Sequence, residues 1–192
     1  QMYWQVYLHK TSLAAELILT KVLKRAKELT ERGILLPCSE PLLFFMQNKV
    51  TLETFDQKIL KLFTKLDDFD IISALKTWEN NDDFILSSLS KMIINRDLLK
   101  IKLTSEKVSL EELHILKERF SAKNKISLAE SNYFIFKGKI KSQAYSKVAE
   151  PIRILNKDAS IEDVVEASDQ LNLKSLSRLV TKYYICFPKQ LL

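Results

Sequence analysis

The stretch from Tyr3 to Leu29, YWQVYLHKTSLAAELILTKVLKRAKEL, constrains the fold more than any other. It holds neither Gly nor Pro and is rich in Ala, Leu, Lys, Glu and Arg, which give up little freedom on entering a helix. Leu19, Val22, Ala26 and Leu29 fall on one helical stripe, with Ala14, Leu17 and Ile18 beside it. That spacing predicts one long helix with a single face turned into a core. The first turns are less ordinary. Tyr7, His9 and Lys10 crowd together as Y-x-H-K, an aromatic ring, an imidazole and an ammonium within one turn. Tyr7 and Lys10 are three apart and share a face, with His9 to one side. Two readings stay open: the ring packs on a sugar or base while the cations meet phosphate, or the ring is core and the lysine is solvated.

The rest of the chain is punctuated by caps. Gly33 is the expected stop of the first helix. Ser39 and Pro41 start a short apolar helix over Leu42 to Gln47. Thr51 is expected to cap a helix over Leu52 to Thr64 that turns Phe55, Ile59, Leu62 and Phe63 inward. Asp67, Asp68 and Asp70 open the next, where the helix dipole favours negative charge, and Ile71, Ile72, Leu75 and Trp78 form its buried side. Asp82 or Asp83 caps a helix to about Asn95. From Arg96 the period changes. Leu99 to Leu103 alternates strictly and reads as a half-buried strand. Ser109 with Glu112, and Ser127 with Glu130, have capping-box spacing. Tyr133 to Phe136, Ile152 to Leu155 and Tyr183 to Phe187 read as strands, and Ser160 as the cap of a helix over Ile161 to Ala167. The expected fold is mainly α, a helical portion over 1–96 followed by a small α+β subdomain over 97–192 with an antiparallel sheet.

Composition agrees. A hydrophobic content of 46% with only 2 Gly and 4 Pro excludes disordered and collagen-like chains and favours a helix-rich globule. The longest apolar run, Gly33 to Met46, is broken by Pro37, Cys38, Ser39, Glu40 and Pro41, so it is not read as a membrane span. The chain opens at Gln1 inside a helical pattern, without a charged n-region or cleavage box, and reads as the C-terminal piece of a longer protein. Cys38 and Cys186 are expected to be free thiols in a reducing cytoplasm. The net charge of +6 invites a nucleic-acid partner. Lys and Arg, however, alternate with Asp and Glu along most of the chain, and no zinc-finger or RNP-type signature accompanies the basic patches Lys21 to Lys27 and Lys137 to Lys147. A solvated basic surface is the reading preferred.

Chemistry-bearing constellations are few. A hard or borderline divalent cation needs several converging His and Asp ligands. The chain has two histidines, His9 and His114, and neither is followed by Asp. Asp67, Asp68 and Asp70 lack the glycine and terminal glutamate of a calcium loop. Neither cysteine lies near a histidine in sequence.

The segment VYLHKTSLAAELILTKVLKRAKEL resembles the helix that follows the catalytic core in HD-superfamily phosphohydrolases related to the deoxynucleoside triphosphate triphosphohydrolases. The similarity continues through FTKLDDFDIISALK, INRDLLKIKL and EASDQLNLKSLSRLVTKYYICFPKQL, nearly the whole chain. The family's metal-binding H…HD…D signature is absent. The resemblance implies a parent enzyme that hydrolyses a nucleotide or another phosphate ester with a divalent metal held outside this chain. The chain alone would hold no metal and no catalytic residue, and would be inactive. Tyr7 matches the tyrosine beside the deoxyribose of the substrate. His9 and Lys10 match residues that approach the phosphates of an activating nucleotide in tetrameric members. Arg96, in NRDLLK, matches an arginine that contacts a regulatory nucleotide. Lys100 and Lys102 are expected to be solvated. The resemblance further implies a homo-oligomer without a membrane partner. The alternative is a non-catalytic regulatory or dimerisation module whose Y-x-H-K is only packing.

Overall fold

The computed structural model describes residues 9–142, 151–167 and 180–191. Helix α1 (Lys10–Glu31) starts later than its unbroken pattern suggests, because His9 is extended and acts as the N-cap, its Nδ1 accepting from the Thr11 N–H at 3.3 Å. Tyr7, with its expected sugar contact, lies outside the described residues. The buried face holds Leu13, Ala14, Ile18, Val22, Ala26 and Leu29. Gly33 ends the helix at φ 83. Its N–H donates to the Thr30 carbonyl and the Ile34 N–H to that of Leu29, each at 3.0 Å, a closure that needs a left-handed residue.

Three helices assemble around this one. Ser39 caps α2 (Glu40–Gln47), the Asp67–Asp70 capping box starts α4 (Asp68–Trp78), and Asp83 caps α5 (Phe84–Ile94). Helix α5 packs along α1, and α4 along α5. Trp78 is buried, with its indole N–H donating to the Pro37 carbonyl at 3.0 Å. Ile72, expected inside, is exposed on α4, and Ile71 is half-buried. The segment after Asn48 departs further from expectation. Thr51 and Thr54 close a turn on each other, and the helix, α3 (Gln57–Phe63), waits for Asp56, whose carboxylate accepts from the Ile59 N–H at 2.8 Å. None of its residues is fully buried: Phe55 and Phe63 are exposed, and Ile59 and Leu62 half-buried.

The second half supplies β1 (Lys100–Thr104), α6 (Leu110–Asn124), α7 (Leu128–Ser131), β2 (Phe136–Ser142), β3 (Arg153–Leu155), β4 (Ile161–Asp163), α8 (Val164–Ala167) and β5 (Val180–Phe187), then a 3₁₀ turn, Lys189–Leu191. The last strand lies between the first two and runs antiparallel to both, so Cys186 faces Ile101 on one side and Phe136 on the other. The molecule is therefore mainly helical with a small antiparallel sheet. A Cβ at Gly138 would run into the Tyr184 ring across the β2–β5 pair, so any larger residue there would have to displace that ring. Three expectations are corrected. Tyr133 to Ile135 belong to the turn leaving α7, and the strand starts at Phe136. Ile161 to Asp163 pair with Arg153 to Leu155 as strands, which leaves only one helical turn after them. Ser109 caps α6 through the Glu111 N–H without a reciprocal bond from Glu112. The core is continuous, from Ile18 and Val22 through Leu86 and Leu89 to Phe134, Ile135, Ile185 and Cys186.

One buried charge ties these parts together. The Arg25 guanidinium, 7% exposed, meets Asp83 through two bonds, Nε to Oδ1 at 3.1 Å and Nη2 to Oδ2 at 2.6 Å. Glu28 and Glu130 stand 3.5 and 3.8 Å from it. Burial acts to raise the Asp83 carboxyl, but the bonds from Arg25 and from the Leu86 N–H outweigh it and hold the group below the ordinary 3.8. Asp83→Ala would strand the guanidinium and uncap α5. The expected cost is about 3–5 kcal/mol, read as a lower urea midpoint at constant slope; a loss under about 1 kcal/mol would contradict a structural clamp. A carboxylate depressed by folding stabilises fully above its unfolded pKa and loses that contribution as pH falls through the folded value. The wild-type advantage over Asp83→Ala should thus hold from neutral pH to about pH 5 and fade below about pH 4.

Candidate functional site

The N-terminal end of α1 lies against β1 and the chain that leads into it. A groove of about 440 Å³ opens between them. Its floor is apolar and buried, made of Ala14, Leu99 and Ile101. Its rim carries Lys10, Arg96, Lys100 and Lys189, all exposed. Lys189 is offset by Asp97, Nζ to Oδ1 at 2.8 Å. Among the described residues, Lys10, Arg96 and Lys100 have no carboxylate partner. Three cations without a carboxylate among the described residues, above an apolar floor, suit a ligand that joins phosphate to an organic body.

Each rim residue is positioned by its element. Lys10 is the first residue of α1, set by the His9 cap. Arg96 follows the α5 C-cap, Asn95, with its N–H donating to the Ile93 carbonyl at 3.2 Å and its φ at 55. That left-handed backbone is usually left to glycine at a helix end and costs a larger residue about 1–2 kcal/mol. Lys100 opens β1, paired with Phe187 of β5, and this pairing brings Lys189 to the same rim.

Of the residues singled out in the sequence, Lys10 and Arg96 meet in this groove although far apart in the chain. His9 adjoins it, its Nδ1 occupied in capping α1. Arg96, adjacent to Asp97 in sequence, is not its ion-pair partner; Lys189 is. Lys100 and Lys189 are additions. The alternation of β1 puts Lys100 opposite in face to Ile101, a local signal for exposure. Nothing local announces Lys189, whose place depends on strand pairing.

Among the described residues, the lining of the groove includes no His, Cys, Asp or Glu. His114 is on the exposed face of α6, its Nε2 3.2 Å from Glu118 Oε1. Cys38 and Cys186 are free, and burial pushes the Cys186 thiol up to about 12, which keeps it protonated and unreactive near neutral pH. Among the described residues no group of three or more His, Cys, Asp and Glu is arranged to hold a metal ion, and no helix is long and apolar enough to cross a membrane. The donor set of a divalent phosphohydrolase centre therefore does not fit these residues.

No protein-family model matches the chain. The Bacillus subtilis protein YwfO, an uncharacterised protein, is 40% identical over 102 residues, or 52% of this chain and 22% of YwfO. A crystal structure of a phosphohydrolase from Bacteroides thetaiotaomicron is 41% identical and superposes on 97% of this chain and 47% of its own, with a TM-score of 0.85. The chain thus has the fold of about half of that phosphohydrolase, and spans less than a quarter of YwfO.

The backbone at Arg96 offers a test that separates structure from binding. Arg96→Gly relieves the left-handed cost but loosens the unfolded chain, so stability should change by less than about 1 kcal/mol. Where the groove takes a phosphate-bearing ligand, affinity for it should nonetheless fall about tenfold with the loss of a charge-assisted bond. Thermal melts and titrations of the same samples check both; a large drop in melting temperature with unchanged affinity would make Arg96 structural.

Proposed function

We propose that the chain is the C-terminal part of an HD-superfamily phosphohydrolase acting on nucleotides, and that its own contribution is to bind and orient phosphate rather than to cleave it. The observation that carries this reading is the convergence of Lys10, Arg96 and Lys100, unpaired among the described residues, on one groove with an apolar floor. The likeness to the Bacteroides phosphohydrolase supports the phosphohydrolase class. The nucleotide is favoured by the matched residues His9, Lys10 and Arg96, and by a groove that pairs cations with an apolar surface large enough for a sugar or base. Tyr7 would face the sugar of the substrate. The metal would be held by a part of the parent outside the described residues. Residues 1–96 would continue the parent's helical core, and 97–192 would carry the regulatory surface.

A second reading, a regulatory or dimerisation module, draws on a different observation. Leu60 and Phe63 of α3, Phe69 and Ile72 of α4, and Leu35 are all exposed. Apolar side chains gathered on neighbouring elements mark contact surfaces more often than free ones. The two readings are compatible if the groove regulates an oligomer.

Calorimetric titration of deoxynucleoside triphosphates into the chain, with product analysis after incubation with magnesium or manganese, tests the proposal. Saturable binding without hydrolysis is expected, weakened about tenfold or more by Lys10→Ala and by Lys100→Ala at unchanged melting temperature. Binding that ignores both substitutions, or turnover abolished by a substitution within the chain, would overturn it.

A further inference from the structure

A second cationic groove lies farther along α1, and neither the phosphohydrolase reading nor the sequence motifs account for it. It measures about 270 Å³ and runs between α1 and the turn that leaves α7. Lys21, Lys24, Arg25 and Glu28 come from one stripe of α1 and Arg32 from its C-cap, and Tyr133 faces them from the other side. Arg25 is consumed by Asp83, Glu28 and Glu130, so the two glutamates that line the groove are already engaged. Lys21, Lys24 and Arg32 have no carboxylate partner among the described residues.

Two observations, independent of each other, point to a missing anion. Lys21 is held over aromatic faces, its Nζ 4.7 Å from the Phe136 ring centre and 5.8 Å from that of Tyr133. Burial, with the charges of Lys24 and Lys117 nearby, pushes its ammonium below the ordinary value, a cost that an anion would relieve. The second is Tyr133 itself. The residue is 8% exposed, and its buried hydroxyl makes no hydrogen bond of good geometry, although the Glu28 carboxylate and the Arg25 guanidinium lie close to it. Buried polar atoms in folded proteins are nearly always paired, so an orphan asks for an explanation. Burial, with Glu28 beside it, pushes the hydroxyl's pKa upward, so it stays protonated and keeps a proton to donate.

We propose that this groove is an oxyanion site for a phosphate group, held by Lys21, Lys24 and Arg32 with the Tyr133 hydroxyl as a fourth donor. A phosphate suits it better than a carboxylate, because three cations and a hydroxyl offer more donors than two oxygens accept, and a phosphate carries up to twice the charge. The phosphate comes either as an inorganic anion or as the end of a nucleotide; the chemistry is the same, and titration separates the sources.

The test uses the full chain carrying Lys10→Ala and Arg96→Ala, so that the groove at β1 is silenced and its failure or success has no bearing. Pyrophosphate and a nucleoside monophosphate are titrated by calorimetry. Saturable pyrophosphate binding is expected, reduced about tenfold or more by Lys24→Ala and by Arg32→Ala, both exposed and so tolerated by the fold. Tyr133→Phe should lower affinity about tenfold with the melting temperature retained. A monophosphate that binds more tightly than pyrophosphate identifies a nucleotide as the source, a weaker one identifies the inorganic anion, and either supports the site. Absence of pyrophosphate binding, or binding indifferent to Lys24→Ala and Arg32→Ala, overturns it. So does a Tyr133→Phe variant that melts lower but binds as before, since the hydroxyl then serves only the fold.

Discussion

The bidentate pairing of Arg25 with Asp83 fixes where almost everything else lies. The same Asp83 carboxylate that accepts from Arg25 also caps α5 through the Leu86 N–H at 2.8 Å. Glu130, at the edge of the same guanidinium, completes the Ser127 capping box of α7. One side chain of α1 is thus bound to the starts of two other helices. A buried pair of this kind adds little net stability over a well-packed apolar pair, but it strongly penalises any arrangement that separates the partners. It therefore selects the angle at which α1 lies. Because α1 runs without interruption, that angle is carried to its other end: Lys10 lies roughly 22 Å from Arg25 at the helical rise, and there it meets Arg96 and Lys100.

The distribution of charge follows from the same economy. The net charge of +6 is modest, and acids and bases are interleaved in the sequence. In the folded chain they part company. Asp56, Asp67, Asp83 and Glu130 are spent on helix N-termini, where they accept backbone N–H groups. Other lysines and arginines are left to the surface, and two sets collect along α1 and its C-cap, one at Lys10 and one from Lys21 to Arg32. Positive potential at these grooves comes less from an excess of bases than from acids being occupied elsewhere. Clusters of this kind suit charge-assisted bonds to phosphate or carboxylate.

Much of the helical scaffold could be read from local chemistry, since caps act within three or four residues. Gly33, Ser39, Asp67, Asp83 and Ser127 each end or start a helix as their neighbours dictate. Reading failed where a distant partner or a competing local bond decided. Thr51 prefers a turn with Thr54, and Asp56 is the stronger cap. The apolar spacing of α3 announced a buried face, yet its residues have little to cover them among the described residues. The Ser160 signal favours a helix at Ile161, but its pairing with Leu155 makes it a strand. At the candidate site, Lys10 and Arg96 were flagged through resemblance, whereas Lys100 and Lys189 gain their role only from the pairing of β1 with β5. Tyr133 was legible as an aromatic residue and not as a buried donor, because the burial is supplied by α1.

The claim at the centre of this account is that the groove at the N-terminal end of α1 receives the phosphates of a nucleotide. A crystal structure of the chain grown with a non-hydrolysable deoxynucleoside triphosphate tests it most directly. The account places phosphorus atoms within salt-bridge reach of Lys10, Arg96 and Lys100, with the sugar or base against Leu99 and Ile101. Phosphates bound elsewhere, with this groove filled only by solvent at saturating ligand, would contradict it.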